Sequence, residues 1–383
     1  MSTFFIGGIL GRRLTIIVGS IWMLIGAIIQ TFSSSVGVVI FGRIVSGIGM
    51  GLINASVPVY QAEMSPALSR GQLVAIDLVV LNCGIALSYW CCYGFNFSGL
   101  QGNVTWRVPI ALQCVFIVGI FLIALILPDT PRWYATRNRN AEALTVLARL
   151  RGKPEDSCEI LEEFNDIQAT ILHEAMSKKS GWLSLVKPSD GWKDDVLRSR
   201  RRLFLACFIQ AAQQLGGINA LIYYSSTLFS QSLKFGSRDS AKLAGGLNMV
   251  LILGSLMSIF LVDRVGRRKL LLPCIAAMSF VFVLQTIFVK NIQAETATTG
   301  VKNAAVAMLF FFELFFSIGF QATVWMIPSE ILPLNIRTQG SALSTGSNWV
   351  SRTEELRAQL LCNQQLISPL LSPCALFRSA TSS

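Results

Sequence analysis

Two short charged motifs occur twice in this chain, and this repetition limits what the chain can fold into. The pattern Glu-x-x-Pro-x-x-x-Arg occupies residues 63–70 and returns at residues 330–337. The triplet Gly-Arg-Arg occupies residues 11–13 and returns at residues 266–268. Each copy adjoins a long apolar run. A fixed repeat of this kind predicts two homologous halves, each built from the same arrangement of elements.

The apolar runs are long enough to cross a lipid bilayer. Hydrophobic residues make up 52% of the chain and charged residues only 14%, which is typical of a membrane protein. A spanning helix needs about 20 mostly apolar residues. The sequence therefore predicts an all-α, multi-pass membrane protein with candidate spans at 14–32, 36–59, 72–94, 108–127, 203–230, 241–262, 270–289 and 303–327, and a further helix beginning near Gly340.

The charge and cysteine patterns exclude several other classes. The net charge is +11, but the Lys and Arg residues lie in short loops between apolar runs, as the positive-inside rule requires, so no nucleic-acid partner is predicted. The nine cysteines have no metal-ligand spacing. The single histidine, His173, lies in a polar block, and no nucleophile and base form a pair. We expect no enzyme activity, no cofactor and no metal.

Charged loops and glycosylation sequons give a consistent topology. The Gly-Arg-Arg triplets and the polar block 132–202 fall in alternate loops, which places them together on the cytoplasmic side. Loop 95–107 then lies outside, where its sequons at Asn96 and Asn103 are accessible to glycosylation. Amphipathic helices are predicted near residues 141–150 and 155–176 of the polar block.

Several further motifs resemble the sugar porter branch of the major facilitator superfamily, most closely the fungal sugar transporters. The matching segments, in order, are Gly42-Arg43, Pro58–Glu63, Pro128–Arg132, Gln213–Asn219, Tyr223-Tyr224, Gly266–Arg268, Pro328–Glu330 and Asn348-Trp349. The resemblance implies two six-helix bundles with the substrate bound between them at mid-membrane. It also implies a monomer in a lipid bilayer that carries a sugar, with protons as a possible second partner. A neutral sugar is expected because Arg43 is the only Lys or Arg predicted at mid-depth, where an anionic substrate would need a positive group.

The run 203–230 is the richest source of candidate substrate contacts. Gln213, Gln214 and Asn219 are polar residues in an apolar stretch, and Gly216-Gly217 interrupts it. Polar groups and helix breaks at mid-membrane are typical of transporter sites, although polar contacts between helices are the alternative reading. The resemblance adds Trp325, Asn348 and Asn248 to the predicted substrate residues, and Tyr223 and Tyr224 as a gate.

The repeated motifs predict a network of charges at the cytoplasmic helix ends, which in the family latches the cytoplasmic side. Simple anchoring of arginines at the membrane surface is the alternative. The predicted network comprises Arg12, Arg13, Glu63, Arg70, Arg132, Arg267, Glu330 and Arg337. Asp77 is a possible coupling residue because an acid inside an apolar run is costly and often functional. The resemblance adds Arg43, because the matching arginine of proton-coupled relatives pairs with an aspartate on the first helix. Leu78 stands where many relatives carry a sugar-binding glutamine.

The repeat also predicts the domain layout and what the chain lacks. The predicted parts are a partial N-terminal bundle at 1–131, a cytoplasmic linker at 132–202, a partial C-terminal bundle at 203–350 and an aberrant tail at 351–383. About 9–10 helices are expected. By comparison of the halves, the first helix, most of the second and the last one or two are expected to be missing.

The predicted function is transport of a monosaccharide or small oligosaccharide by alternating access, with proton symport favoured over facilitated diffusion. The plasma membrane is the expected location. Quinate, galacturonate or a disaccharide are alternative substrates. Two other hypotheses remain at this point: a non-functional fragment or gene-model artefact of such a transporter, and a sugar sensor that does not transport.

Overall fold

A computed structural model describes residues 11–65, 70–97, 102–177, 199–231, 233–294, 298–332, 340–341 and 343–353. In these ranges the regular elements are helices, which confirms the predicted all-α class. The described residues form two compact units, one ending at residue 177 and one starting at Ser199. The predicted domain boundaries remain a prediction, but the helices of block 132–202 that are described before residue 178 belong to the first unit.

The first unit contains four apolar helices of 20 or more residues followed by two short helices and a further one of 20 residues. They are α1 Arg12–Thr31, α2 Val36–Met64, α3 Arg70–Phe97, α4 Val104–Ile126, α5 Pro131–Thr136, α6 Asn140–Arg151 and α7 Cys158–Ser177. Thr130 begins α5 by accepting a hydrogen bond from the Trp133 backbone, and Pro131 suits the first turn of a helix. Gly152 ends α6 in the left-handed conformation.

Helices α1 and α2 pack closely because glycines face the contact. A Cβ atom at Gly26 would lie 2.5 Å from the Ser46 nitrogen, and one at Gly49 would lie 2.6 Å from the Met23 nitrogen. Gln30 crosses the same contact and donates to the Gly42 carbonyl at 3.3 Å. Small residues permit this close backbone approach in membranes.

Helices α5, α6 and α7 share a small apolar core of their own. Ala135, Ala143, Leu147, Ile160 and Phe164 are buried together. The apolar positions of α6 and α7 recur at helical spacing, as the amphipathic pattern of the sequence predicts. An ion pair joins the two helices, and the hydrogen bonds that Arg151 donates to the Glu163 carboxylate raise the pKa of Arg151.

The second unit has more interrupted helices than the first. Its elements are α8 Ser199–Leu215, α9 Ile218–Gln231, α10 Ser237–Val265, α11 Arg267–Gln293, α12 Thr299–Phe315, a π-helical segment Phe316–Gln321, α13 Ala322–Ile331, and α14, which comprises residues 340–353 except 342. The predicted run 203–230 is divided at Gly216-Gly217 into α8 and α9. Gly217 has φ of 80°, which a glycine adopts without steric cost.

Among the described residues, seven helices are long and apolar enough to cross a membrane. The candidate spans of the first unit begin at Arg12, Val36, Ile76 and Val104, and those of the second begin at Ser237, Arg267 and Thr299. Seven of the eight predicted runs therefore correspond to continuous spans, and the eighth is the run divided into α8 and α9.

Candidate functional site

Five carboxamide side chains of the second unit are buried together around the break between α8 and α9. They form what we term the amide cluster: Gln210, Gln213, Gln214, Asn219 and Asn348. Each is at most 8% exposed. The break places Asn219 at the start of α9, beside the end of α8, while Asn348 reaches the group from α14.

Asn348 is the centre of the amide cluster. Its Nδ2 atom donates to Gln210 Oε1 at 2.7 Å and to Gln213 Oε1 at 3.1 Å. Its Oδ1 atom accepts a hydrogen bond from Gln214 Nε2 at 2.8 Å. Asn219 Nδ2 in turn donates to Gln214 Oε1. Three of the predicted substrate residues, Gln213, Gln214 and Asn219, are therefore brought into one network with a fourth, Asn348.

The amide cluster is also attached to the interrupted helix α12–α13. Gln210 Nε2 donates to the Val324 carbonyl at 3.2 Å. Gln213 differs from the others because, among the residues that the structure describes, no acceptor lies within hydrogen-bond reach of its Nε2 atom. The amide cluster thus holds its acceptors in place and leaves one amide donor for a further partner.

The predicted aromatic residues lie close to the amide cluster in the sequence but are more exposed. Trp325 is 37% exposed and follows Val324, whose carbonyl binds Gln210. Tyr223 is 57% exposed, and its hydroxyl receives a hydrogen bond from Arg352, which also stacks on the Tyr223 ring at 5.0 Å. Tyr224 is half-buried.

Asn248 is 3% exposed, but its Nδ2 atom donates to the Ala244 carbonyl of its own helix, α10. The described hydrogen bonds do not connect it to the amide cluster. Its assignment to the substrate site stays a prediction.

At the charged end of the first unit, residues of the two repeated motifs lie in contact. Arg12 forms an ion pair with Glu63 at 3.1 Å, and its backbone nitrogen donates to Asp129 at 3.2 Å. Arg13 donates to the carbonyls of Ala124 and Leu125 at 3.0 and 2.6 Å. The start of α1, the end of α2 and the end of α4 are held together here.

The second unit repeats this arrangement. Arg267, at the start of α11, forms an ion pair with Glu330 of α13 at 3.0 Å. Arg132 is half-buried at the start of α5. Arg337 and the side chain of Arg70 lie outside the described residues. The role of this network as a latch stays a prediction.

The possible coupling residues have different surroundings. Asp77 is half-buried and accepts a hydrogen bond from Gln61 of α2 at 3.4 Å. Arg43 is exposed, and no ion pair to it occurs among the described residues. The two predicted glycosylation sites are both exposed: Asn96 near the end of α3 and Asn103 just before α4.

Sequence reasoning did not single out three buried polar residues. Asn82 of α3 is 1% exposed and lies one turn after Leu78; Gln285 of α11 is 8% exposed; Glu313 of α12 is 1% exposed. The signal was available for Glu313, because an acid inside a predicted span is a candidate functional group by default.

Known proteins resemble this chain over most of its length. The family model described as "Sugar (and other) transporter" matches residues 1–353. Major facilitator superfamily transporter mfsA of Aspergillus fumigatus is 34% identical over 355 residues, which are 91% of this chain and 63% of that protein. Sugar transporter STL1 of Saccharomyces cerevisiae is 31% identical over 354 residues, which are 90% of this chain and 59% of that protein.

A solved structure shares the fold. The proton:xylose symporter XylE bound to 6-bromo-6-deoxy-D-glucose superposes with a TM-score of 0.75 and 21% identity, covering 95% of this chain and 76% of XylE. The chain spans about 60% of the length of the two curated relatives. The family match, the membrane-spanning helices and the shared fold together establish that this chain belongs to the sugar transporter family of the major facilitator superfamily.

Proposed function

We propose that this protein moves a neutral sugar, a monosaccharide or a small oligosaccharide, across the plasma membrane by alternating access, with proton symport. The observation that carries the proposal is the amide cluster, which gathers five buried carboxamides at a helix break in the second unit. Membership of the sugar transporter family supports the same substrate class.

The chemistry of the amide cluster suits a sugar. A sugar hydroxyl both donates and accepts hydrogen bonds, and a carboxamide offers both functions in one side chain. Gln213 has an amide donor without a described acceptor, so it is the member best placed to bind an incoming hydroxyl oxygen. Trp325, which is partly exposed, offers an apolar ring for the apolar face of a pyranose.

The charge pairs suit the alternating step. Arg12–Glu63 and Arg267–Glu330 each join helix ends within one unit. An arrangement that recurs in both halves can open and close in the same way in each, as transporters with repeated halves require. We place both pairs on the cytoplasmic side because they adjoin the arginine-rich loops.

The experiment compares two buried amides. Gln213→Ala removes the available donor, whereas Gln285→Ala removes an equally inaccessible amide on α11 that has no described bond to the amide cluster. A lost hydrogen bond to a neutral group contributes about 0.5–1.5 kcal/mol. We therefore expect Gln213→Ala to weaken sugar binding by roughly three- to tenfold, and Gln285→Ala to leave it unchanged.

Binding and uptake of radiolabelled sugars are measured with the protein reconstituted in vesicles, using a panel of pentoses, hexoses, disaccharides and quinate. Failure of every sugar to bind would refute the proposal. Equal loss in both variants would show that the amide cluster is not the site. Binding without uptake would instead favour a sugar sensor.

A further inference from the structure

Glu313 is a buried acid that the proposed function does not use. It lies near the end of α12, within the seventh candidate span, and is 1% exposed. Its Oε2 atom is enclosed, and the residues that the structure describes offer it no hydrogen-bond donor. A carboxylate in such a place is very costly unless it is paired or becomes neutral by binding a proton.

The helices that pack around Glu313 are α10 and α11. The carbonyl of Leu314 would lie 3.2 Å from a Cβ atom at Gly254 of α10, and Phe312 contacts Phe282 of α11 with ring centres 5.0 Å apart. These contacts fix which part of each neighbouring helix lies level with Glu313.

The other charged residues of α10, α11 and α12 lie far from Glu313 along the helix axes. From the helical rise, their Cα atoms lie about 12 Å or more away along the helix axes. The charged groups with described side chains are Arg238, Asp239, Lys242 and Arg264 on α10, Arg267, Arg268, Lys269 and Lys290 on α11, and Lys302 on α12. The nearest titratable group of another kind is Cys274 of α11, which packs against Gly319 of the π-helical segment.

We propose that Glu313 is a proton-binding site, and that release of its proton opens the adjoining π-helical segment Phe316–Gln321. The neutral acid fits the closed structure, in which the described residues donate no hydrogen bond to the buried Oε2 atom. The ionised form needs water or a donor, and the closed packing supplies neither. Ionisation and opening are therefore linked, because each favours the other.

The π-helical segment is the natural place for this opening. Wide π-helical turns inside α-helices occur frequently at functional sites. The segment begins three residues after Glu313 and is tightly enclosed, because Ser317 contacts Gly254 and Gly319 contacts Cys274. Because the packing at these contacts is close, we expect a shift of α12 to move α10 or α11 as well.

The same helix connects Glu313 to the amide cluster. Beyond the π-helical segment, α13 carries Val324, whose carbonyl binds Gln210 of the amide cluster. Opening at Phe316–Gln321 would move this carbonyl and disturb the amides. The use of this link in transport rests on the proposed function, but the proton site does not depend on it.

Hydrogen–deuterium exchange tests the proton site without any sugar. The backbone amides of residues 316–321 are followed in the full chain, reconstituted in lipid, over roughly pH 5 to 9. Intrinsic exchange also accelerates with pH, so the readout is the ratio of the wild-type rate to that of Glu313→Gln at the same pH. If one proton is released on opening, the ratio rises by up to about tenfold per pH unit once the acid ionises.

Three variants make the test decisive. Glu313→Gln mimics the neutral acid and should show no added opening, Glu313→Asp keeps an acid and should retain the pH dependence, and Glu313→Met replaces Gln if that variant does not fold. The infrared carbonyl band of a protonated acid should appear in the wild type at neutral pH and vanish in Glu313→Gln. A flat exchange ratio, or no band lost in Glu313→Gln, would overturn the proton site.

Sugar binding then tests the coupling alone. The sugar affinity of the wild type should change with pH, and that of Glu313→Gln should not. Identical pH dependence in both proteins would overturn the link to the amide cluster. If no sugar binds to either protein, the proposed function fails, while the exchange and infrared results still decide whether Glu313 binds a proton.

Discussion

The two repeated ion pairs can be used to test whether burial or the distance between the charges determines how much an ion pair stabilises the protein. Arg12–Glu63 and Arg267–Glu330 have nearly equal lengths of 3.1 and 3.0 Å. A third pair, in which Glu142 binds Arg139 of the preceding loop, is shorter at 2.6 Å. Replacement of Glu63, Glu330 and Glu142 by Gln, one at a time, removes one charge from each pair while preserving side-chain size.

Burial predicts a clear order of effects. The exposed fraction of the glutamate side chain is 11% for Glu63, 47% for Glu330 and 49% for Glu142. Exposed pairs contribute about 0.2–1 kcal/mol, because water and salt screen them. Breaking a fully buried pair costs about 3–5 kcal/mol, because a charge is left without its partner. Since Arg12 is itself 26% exposed, we expect about 2 kcal/mol for Glu63→Gln, below about 1 for Glu330→Gln, and near zero for Glu142→Gln.

Thermal unfolding in detergent micelles measures how much each of the three variants is destabilised, and so gives the order of the three effects. For a unit of this size, about 1 kcal/mol shifts Tm by roughly 2–4 °C, so Glu63→Gln should lower Tm by about 4–8 °C. Added salt should reduce the two smaller effects more than the largest one. An order that follows distance, with Glu142→Gln most destabilising, would refute the reasoning, and so would equal losses for Glu63→Gln and Glu330→Gln.

Three further changes test other contacts. Gly49→Ala should destabilise the first unit by about 1–3 kcal/mol, because its Cβ atom would meet the α1 backbone, whereas Gly47→Ala on the same helix meets open space and should be nearly neutral in the same unfolding assay. The hydrogen bond to Glu162 raises the pKa of the Cys158 thiol, so Glu162→Gln should increase the thiolate fraction and speed alkylation of Cys158 near pH 8, as followed by mass spectrometry. Asn103→Gln should remove one glycan, seen as a shift in electrophoretic mobility that an endoglycosidase abolishes, if the loop before α4 faces outside.

The sequence predicted the helices well because the bilayer requires long apolar runs. Helices α1 and α11 each begin directly after the glycine of a Gly-Arg-Arg triplet, and Gly11 and Gly266 share the same positive φ of 87°. The repeated triplet thus has the same local backbone in both units, and each unit contains an ion pair between an arginine of the triplet and a glutamate of the second motif. The pattern of apolar residues was sufficient to predict a boundary between two helices where a glycine or a proline lies at that boundary.

Other features depend on packing between helices, which hydropathy does not encode. Nothing in the apolar run 303–327 marks Phe316–Gln321 as π-helical, and its contacts with Gly254 and Cys274 are to helices distant in the sequence. The sequence also gave no sign that Gln210 binds the Val324 carbonyl, since the two residues are 114 positions apart. Glu313 could have been found from its charge alone, but its isolation becomes visible only in the structure.

The repeat predicts two similar halves, yet the described parts of the two units differ in where their helices are interrupted. The four long helices of the first unit are continuous, and α1 and α2 are held by glycine contacts that leave little freedom to shift. In the second unit, α8–α9 is divided at Gly216-Gly217 and α12–α13 contains the π-helical segment. The amide cluster lies at the first interruption and Glu313 beside the second.

Interrupted helices can rearrange at a lower free-energy cost than continuous ones. We therefore expect conformational change on sugar binding to be concentrated in the second unit. Hydrogen exchange with and without sugar should therefore change at residues 210–221 and 313–325 and remain constant in α1 and α2, whereas equal changes in both units would contradict this asymmetry.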